Sequence, residues 1–276
     1  KKGKYPRKIV ILICICLIAG VWIYPSIYDH QCKTRVYESL ESEITEDVLK
    51  ANIVIVQKKT TADSPGVTSV SYSPGASGVI FKRQDDIYYA LTAYHVIQDG
   101  ENTEWVVIPW GEKSYTEMAD SSEEHISQEE YYSSFSSAKV VASDQNCDLA
   151  VIEFRSDKVL FVLEIDKANP AKGTEIATIG NPDGERFVQA FGKVKSDGYY
   201  VFKTDDDFPP TNTLKHNAYI ASGSSGSVVL NRQMKIVGIN VGGGTDAFGR
   251  FKYGAMVPCE MINDFLENRF ARNKHE

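Results

Sequence analysis

Hydrophobic and polar positions along the chain fall into three regimes. The first is one apolar run: Ile9 to Tyr28 holds 20 residues without a charge, bounded by Lys8 and Asp29. About 20 such residues span the hydrocarbon core of a bilayer as a helix, with every backbone group satisfied internally. Lys1, Lys2, Lys4, Arg7 and Lys8 precede the run and no cation follows it closely, which predicts an inside N-terminus and an outside C-terminal part. A cleaved signal peptide is the competing reading, although the run offers no A-x-A site and Ile18-x-Gly20 is its nearest substitute. Residues 1–28 are thus expected to be a basic tail and a single-pass signal anchor in the cell membrane. In both readings residues 29–276 are exported, and with cleavage they are secreted.

The second regime, residues 29–50, is polar. Tyr37, Leu40, Ile44 and Leu49 recur there at helical spacing over Arg35–Lys50, predicting a stalk or lead-in helix. From Ala51 the pattern changes to short β-type runs separated by turn residues: Ile53–Val56, Val67–Tyr72, Gly78–Phe81, Ile87–Thr92, Trp105–Ile108, Ala138–Val141 and Leu149–Phe154. It continues through Glu175–Ile179, Phe187–Lys195, Tyr199–Lys203, Ser227–Leu230 and Ile236–Val241, an all-β barrel or sandwich pattern over residues 51–276. Two stretches depart from it. Glu112–Ser137, with seven acidic residues and one Lys, reads as a long surface loop, and Met261, Ile262, Phe265, Leu266 and Phe270 form an amphipathic closing helix.

Composition narrows the function classes. The 276 residues are 42% hydrophobic and 11% aromatic, enough for a sizeable core, which excludes disordered, collagen-like and coiled-coil chains. The net charge of −7 contains the five N-terminal cations, so the remainder carries −12 and has no basic footprint for nucleic acid. Cys32, Cys147 and Cys259 lie outside the apolar run without C-x-x-C spacing; they allow one disulfide plus a thiol and do not form a zinc motif.

Three segments carry chemistry. Leu91-Thr-Ala-Tyr-His95 ends an apolar strand on a histidine, Cys147-Asp148-Leu-Ala-Val starts another on an aspartate, and Ser222-Gly-Ser-Ser225-Gly-Ser places a serine in a glycine-rich turn. A serine hydroxyl needs a neighbouring base to become a nucleophile, neutral histidine is that base, and a carboxylate on its other nitrogen fixes the tautomer. Glycines let the turn adopt positive φ, so that the N–H groups of Gly223 and Ser225 can converge on a developing oxyanion. Each segment alone is commonplace. Their order at spacings of 53 and 77 residues, each at the edge of a β run, is not.

Thr92-Ala-Tyr-His95-Val, Asp148-Leu-Ala-Val and Gly223-Ser-Ser225-Gly resemble the signature segments of chymotrypsin-fold serine proteases, and of the HtrA/Deg type in particular. Gly75-Ala-Ser-Gly-Val-Ile, Ala138-Lys-Val-Val-Ala-Ser-Asp, Ile179-Gly-Asn-Pro and Tyr253-Gly-Ala-Met-Val-Pro extend the resemblance over about residues 51–270. It implies two six-stranded antiparallel β-barrels with a C-terminal helix and a triad of His95, Asp148 and Ser225 in the cleft between them. It also implies a cofactor-free serine endopeptidase acting on protein or peptide substrates, in quality control or processing at the outer face of a bacterial membrane. An esterase of the α/β-hydrolase type would need the order Ser, Asp, His.

The departures are informative. The family's usual Gly-Asn-Ser-Gly-Gly-Pro is altered by Ser224, Ser227 and Val228, substitutions that leave a non-catalytic peptide-binding module as the alternative. No PDZ domain is expected after Phe270. Asn240, in Gly238-Ile-Asn240-Val-Gly-Gly, stands where Glu- and Gln-specific relatives carry a His, and Tyr219, six residues before Ser225, stands where trypsin-like enzymes carry an Asp. The residual expectation is a pocket for small or medium uncharged side chains. His216, nine residues before Ser225, is a further candidate for that pocket against a plain reading as a surface-loop histidine.

Overall fold

A computed structural model describes residues 27–64, 67–98, 102–121, 126–203 and 208–271. Strands β1 (Asn52–Ser64), β2 (Val67–Gln84), β3 (Ile87–Thr92), β4 (Thr103–Pro109), β5 (Ser136–Asp144) and β6 (Leu149–Arg155) close into a barrel in the order β1-β2-β3-β6-β5-β4. All neighbours are antiparallel, and β4 returns to β1 from Ile53↔Pro109 to Lys59↔Thr103. The Ile53-Val-Ile-Val56 run explains both faces of β1. Ile53 and Ile55 join Ile80, Tyr88, Val107 and Ile152 in one buried cluster, whereas Val54 and Val56 join Val106 and Ile108 in another.

That second cluster corrects the reading of Glu112–Ser137 as a loop. The segment folds into two short helices, α5 (Tyr115–Ser121) and α6 (Gln128–Ser133), and Tyr131 and Tyr132 are buried against the outward valines. Ser127 caps α6 by accepting the Glu130 N–H. Acidic residues face solvent while tyrosines cover a sheet face that water would otherwise meet.

The second unit departs from a six-stranded barrel. Strands β7 (Glu175–Gly180), β8 (Val188–Lys193), β9 (Tyr200–Phe202), β10 (Thr211–His216), β11 (Val228–Leu230), β12 (Ile236–Thr245) and β13 (Phe251–Pro258) form one seven-stranded sheet in the order β8-β7-β11-β12-β13-β10-β9. It curls into a half-barrel: among the described residues the end of β8 approaches β10 through a single bridge, Val194↔His216, and β9 pairs only β10. Strand β10 escapes the hydrophobic pattern because Thr211, Thr213 and His216 are polar yet buried.

Helix α7 (Cys259–Phe265) runs on as a wider turn, Leu266–Phe270, and joins the two units. Its Ile262, Phe265 and Phe270 share a cluster with Leu91 and Val151 of the barrel and Ile239 and Val257 of the sheet. Ahead of β1, the single lead-in helix expected over Arg35–Lys50 is broken into α2 (Glu38–Glu41) and α3 (Glu46–Lys50), preceded by a helix, α1, whose described turns span 27–33. Thr45 caps α3 and ends the first stretch. All of the apolar run except its last two residues lies outside the described residues. Among the described residues no helix is long and apolar enough to cross a membrane. Cys32, Cys147 and Cys259 are all free thiols.

Candidate active site

His95 lies on the short helix α4 (Tyr94–Ile97) that follows β3, and Asp148 closes the turn into the adjacent strand β6. Asp148 takes a left-handed conformation (φ 50°), which short polar side chains tolerate, and is 1% exposed. Its Oδ1 accepts the backbone N–H of His95 at 2.9 Å, and Oδ2 lies 2.8 Å from His95 Nδ1. A carboxylate offers only acceptors, so Nδ1 carries the ring proton and Nε2 presents its lone pair. Ser225 Oγ stands 2.8 Å from that Nε2. The three side chains named from the sequence therefore meet as one chain of hydrogen bonds, with imidazole and carboxylate on the barrel and hydroxyl on the sheet. Phe208 covers one edge of the imidazole, ring to ring at 6.3 Å and perpendicular.

The serine turn is held by residues that sequence reasoning did not single out as site residues. Ser77 of β2 donates its N–H to Ser225 O at 2.9 Å and its Oγ–H to Gly223 O at 2.8 Å. Asn181, after β7, donates both its backbone and side-chain N–H to Ser77 Oγ at 3.0 Å. Both residues are buried, and both sit in the resembling segments Gly75–Ile80 and Ile179–Pro182, the one available signal. Gly223 (φ 94°) and Gly226 (φ 81°) flank Ser225, and among the described residues the N–H groups of Gly223 and Ser225 have no protein acceptor.

The departures from the usual motif fit this turn without distortion. Ser224 bonds Ala221 twice, its N–H to the carbonyl at 3.0 Å and its Oγ accepting the Ala221 N–H at 3.1 Å. Ser227 Oγ accepts from Asn240 Nδ2 at 2.9 Å, and Val228 is fully buried in β11. Cys147, beside the aspartate, is held as a thiol, since burial and the nearby Asp144 push its pKa up to about 12.

A pocket of about 340 Å³ opens beside Ser225, walled by Ile220, Ala221, Ser222, the backbone of Gly242–Gly244 and Phe251. Of the three residues predicted for specificity, none lines it. Tyr219 packs its ring against Phe251 behind the wall and donates its hydroxyl to Asp183. His216 and Asn240 are fully buried beneath the turn, where His216 Nε2 donates to Asn240 Oδ1 at 2.7 Å. The surface-loop reading of His216 is corrected as well: it sits on β10, and a Cβ at Gly254 would lie 2.2 Å from its ring. A second hollow of about 230 Å³, lined by Ile55, Gly75, His95 and Trp105, lies on the other flank.

Burial lowers the pKa of His216 from 6.5 to about 4, outweighing the Asn240 bond. The neutral form is favoured by the fold, so the unfolded chain binds the extra proton between these two values. The contribution is complete above pH 6.5 and is lost as pH falls toward 4, about 3 kcal/mol in all. Denaturant melts across this range should show that acid loss, and His216→Gln should flatten it while leaving the slope above pH 7 unchanged.

The sequence profile of the trypsin-like peptidase domain matches residues 76–239, a span that includes His95, Asp148 and Ser225. The chain belongs to the trypsin-like peptidase family. Among curated relatives, the serine protease Do-like HtrB of Bacillus subtilis is 31% identical over 194 residues, 69% of this chain and 37% of that protein. The Do-like HtrA of the same organism is 27% identical over 72% of this chain and 42% of its own length. The chain thus spans about two fifths of these relatives. Among solved structures, the HtrA-type protease AlgWS227A with decapeptide superposes with a TM-score of 0.61 over 83% of this chain and 67% of that chain at 16% identity. The active form of the Rv3671c protease from M. tuberculosis gives 0.58 over 84% and 86% at 14% identity. The fold of this trypsin-like chain is accordingly chymotrypsin-like, with one closed barrel and one half-barrel.

Proposed function

We propose that the chain is an exported serine endopeptidase tethered to the membrane by Ile9–Tyr28. The observation that carries this reading is the continuous chain Ser225 Oγ–His95 Nε2 (2.8 Å) and His95 Nδ1–Asp148 Oδ2 (2.8 Å) beside an open pocket. Ser225 Oγ attacks the scissile carbonyl carbon while its proton passes to His95 Nε2. The Gly223 and Ser225 N–H groups receive the oxyanion, and buried Asp148 supports the imidazolium. Collapse returns the proton to the leaving amine and leaves an acyl ester on Ser225. Water, deprotonated by His95, then releases the acid and restores the hydroxyl.

The pocket supports cleavage after a small or medium uncharged side chain, because Ile220, Ala221, Ser222 and three glycines bring no charge to its wall. The pocket and the hollow beyond His95 give room for chain on both sides of the scissile bond. The tether rests on 20 uncharged residues behind five cations, and protein quality control or processing outside the membrane rests on likeness to the Do-like proteases.

Incubation of the full chain with a fluorophosphonate probe tests the mechanism. Labelling at Ser225 that disappears in Ser225→Ala and His95→Ala is expected. Folded protein that binds peptides but takes no label would instead identify a binding module.

A further inference from the structure

Behind the specificity pocket lies a segment that belongs to neither β unit. Among the described residues, strand β13 pairs with β10 only from Leu214↔Met256 to His216↔Gly254, and no strand covers its edge before Gly254. Phe251, at the start of that uncovered stretch, faces the register shift of the β12–β13 hairpin, where Thr245 pairs with it after a bulge. Its backbone N–H donates to Asp29 Oδ1 at 2.8 Å, across 222 residues of sequence. A carboxylate on a backbone amide is a charge-assisted bond, and here it takes the place of a missing strand.

The same turns of α1 clamp the neighbouring wall. Cys32 is buried with Ile220 and Phe251, and Tyr28 and Tyr219 pack around them. Ile220 and Phe251 are themselves wall residues of the pocket beside Ser225. The Arg250 guanidinium lies 5.4 Å from the centre of the Tyr28 ring and pairs with Asp246 across the hairpin turn. Lys33 pairs with Glu185, and Arg35 Nη1 donates to Asn217 O at 3.0 Å, holding the start of the 217–222 stretch from the rear. The pocket is thus walled on its inner side by glycine backbone and backed on its outer side by Tyr28, Asp29 and Cys32, at the end of the apolar run and just after it.

We propose that Asp29 is a positioning residue for substrate specificity: its bond to the Phe251 amide, with Tyr28 and Cys32 over Phe251 and Ile220, sets the outer wall of the pocket. This rests on the peptidase reading for its kinetic consequence and on geometry alone for its structural one, and the experiment keeps the two apart. Asp29 touches neither the nucleophile nor the imidazole, so its loss acts on substrate fit. In the full chain, Asp29→Ala should raise KM for peptide substrates about tenfold with kcat changed less than twofold, the scale of one lost charge-assisted hydrogen bond. Asp29→Asn retains the Oδ1 acceptor and should restore most of the loss. Tyr37→Ala, on the same lead-in but packed on Ala177 and Phe191 away from the pocket, should leave KM unchanged.

Hydrogen exchange supplies the readout that needs no turnover. The Phe251 amide should be protected in the wild type and in Asp29→Asn and should exchange faster in Asp29→Ala. Faster exchange with no fluorophosphonate labelling of the wild type would leave the wall assignment standing and sink the peptidase reading. Unchanged exchange, equal KM in all variants, or a loss in Tyr37→Ala matching that in Asp29→Ala would overturn the proposal.

Discussion

Ser225→Ala and His95→Ala should each lower kcat on a cleavable peptide by about 10,000-fold or more, and the double variant should lose little beyond either single one. Hydroxyl and imidazole act as a unit in a single proton transfer, so removing either removes the transfer. Asp148→Asn tests a finer point. The amide keeps the size of the carboxylate but presents an N–H where His95 Nδ1–H now finds an acceptor. That turns the imidazole to the tautomer whose Nε2 carries a proton and cannot receive the one on Ser225. A fall of about 10,000-fold in kcat with KM nearly unchanged is the expected signature. Because Asp148 Oδ1 also accepts the His95 backbone N–H at 2.9 Å, Asp148→Ala should in addition lower the melting temperature. Progress curves with a fluorogenic peptide, alongside thermal melts, separate these outcomes.

Gly226→Ala should be strongly destabilising for a single added methyl group. A Cβ there would stand 2.2 Å from both the Ser77 carbonyl oxygen and Thr92 Oγ1, and the residue sits at φ 81°. Neither contact can yield cheaply: Ser77 is buried in β2 and Thr92 Oγ1 is itself bonded to Ser77 O at 2.8 Å. The cost of left-handed backbone adds to that of the overlap, about 3 kcal/mol or more together. Gly111→Ala isolates the first cost, because Gly111 shares the conformation (φ 87°) but a Cβ there would meet no atom within 4 Å. It should lose only about 1 kcal/mol. Chemical denaturation of the two variants measures the difference, and equal losses would remove the argument from crowding.

The parts of this molecule legible in its sequence are those whose cause is local. His95, Asp148 and Ser225 each ended or began a β run, and strand boundaries such as Ile87–Thr92 match the structure because alternation and turn residues are adjacent-residue effects. Ser77 and Asn181 were not legible as a pair, since their hydrogen bonds join positions 104 apart and satisfy buried backbone groups that no periodicity marks. Strand β10 failed for a related reason. Its buried Thr213 hydroxyl donates to the Tyr200 carbonyl at 2.8 Å, so a polar residue fills a core position. Tyr219, His216 and Asn240 do not line the pocket beside Ser225, and much of its wall is the backbone of Gly242–Gly244, which carries no side-chain signal. Tyr131 and Tyr132 hid a small helical layer inside a stretch whose charges pointed to open loop.

The division of His95, Asp148 and Ser225 between two β units has a consequence of its own. Imidazole and carboxylate ride on the closed barrel, the Ser225 hydroxyl rides on the half-barrel, and the Ser77 and Asn181 bonds pin one to the other at the serine turn. A slip of an ångström along that seam would leave each layer of strands intact while parting oxygen from nitrogen. On the proposed peptidase reading, activity is a measure of alignment rather than of foldedness, and warming should silence it while the spectroscopic signature of β structure is still whole.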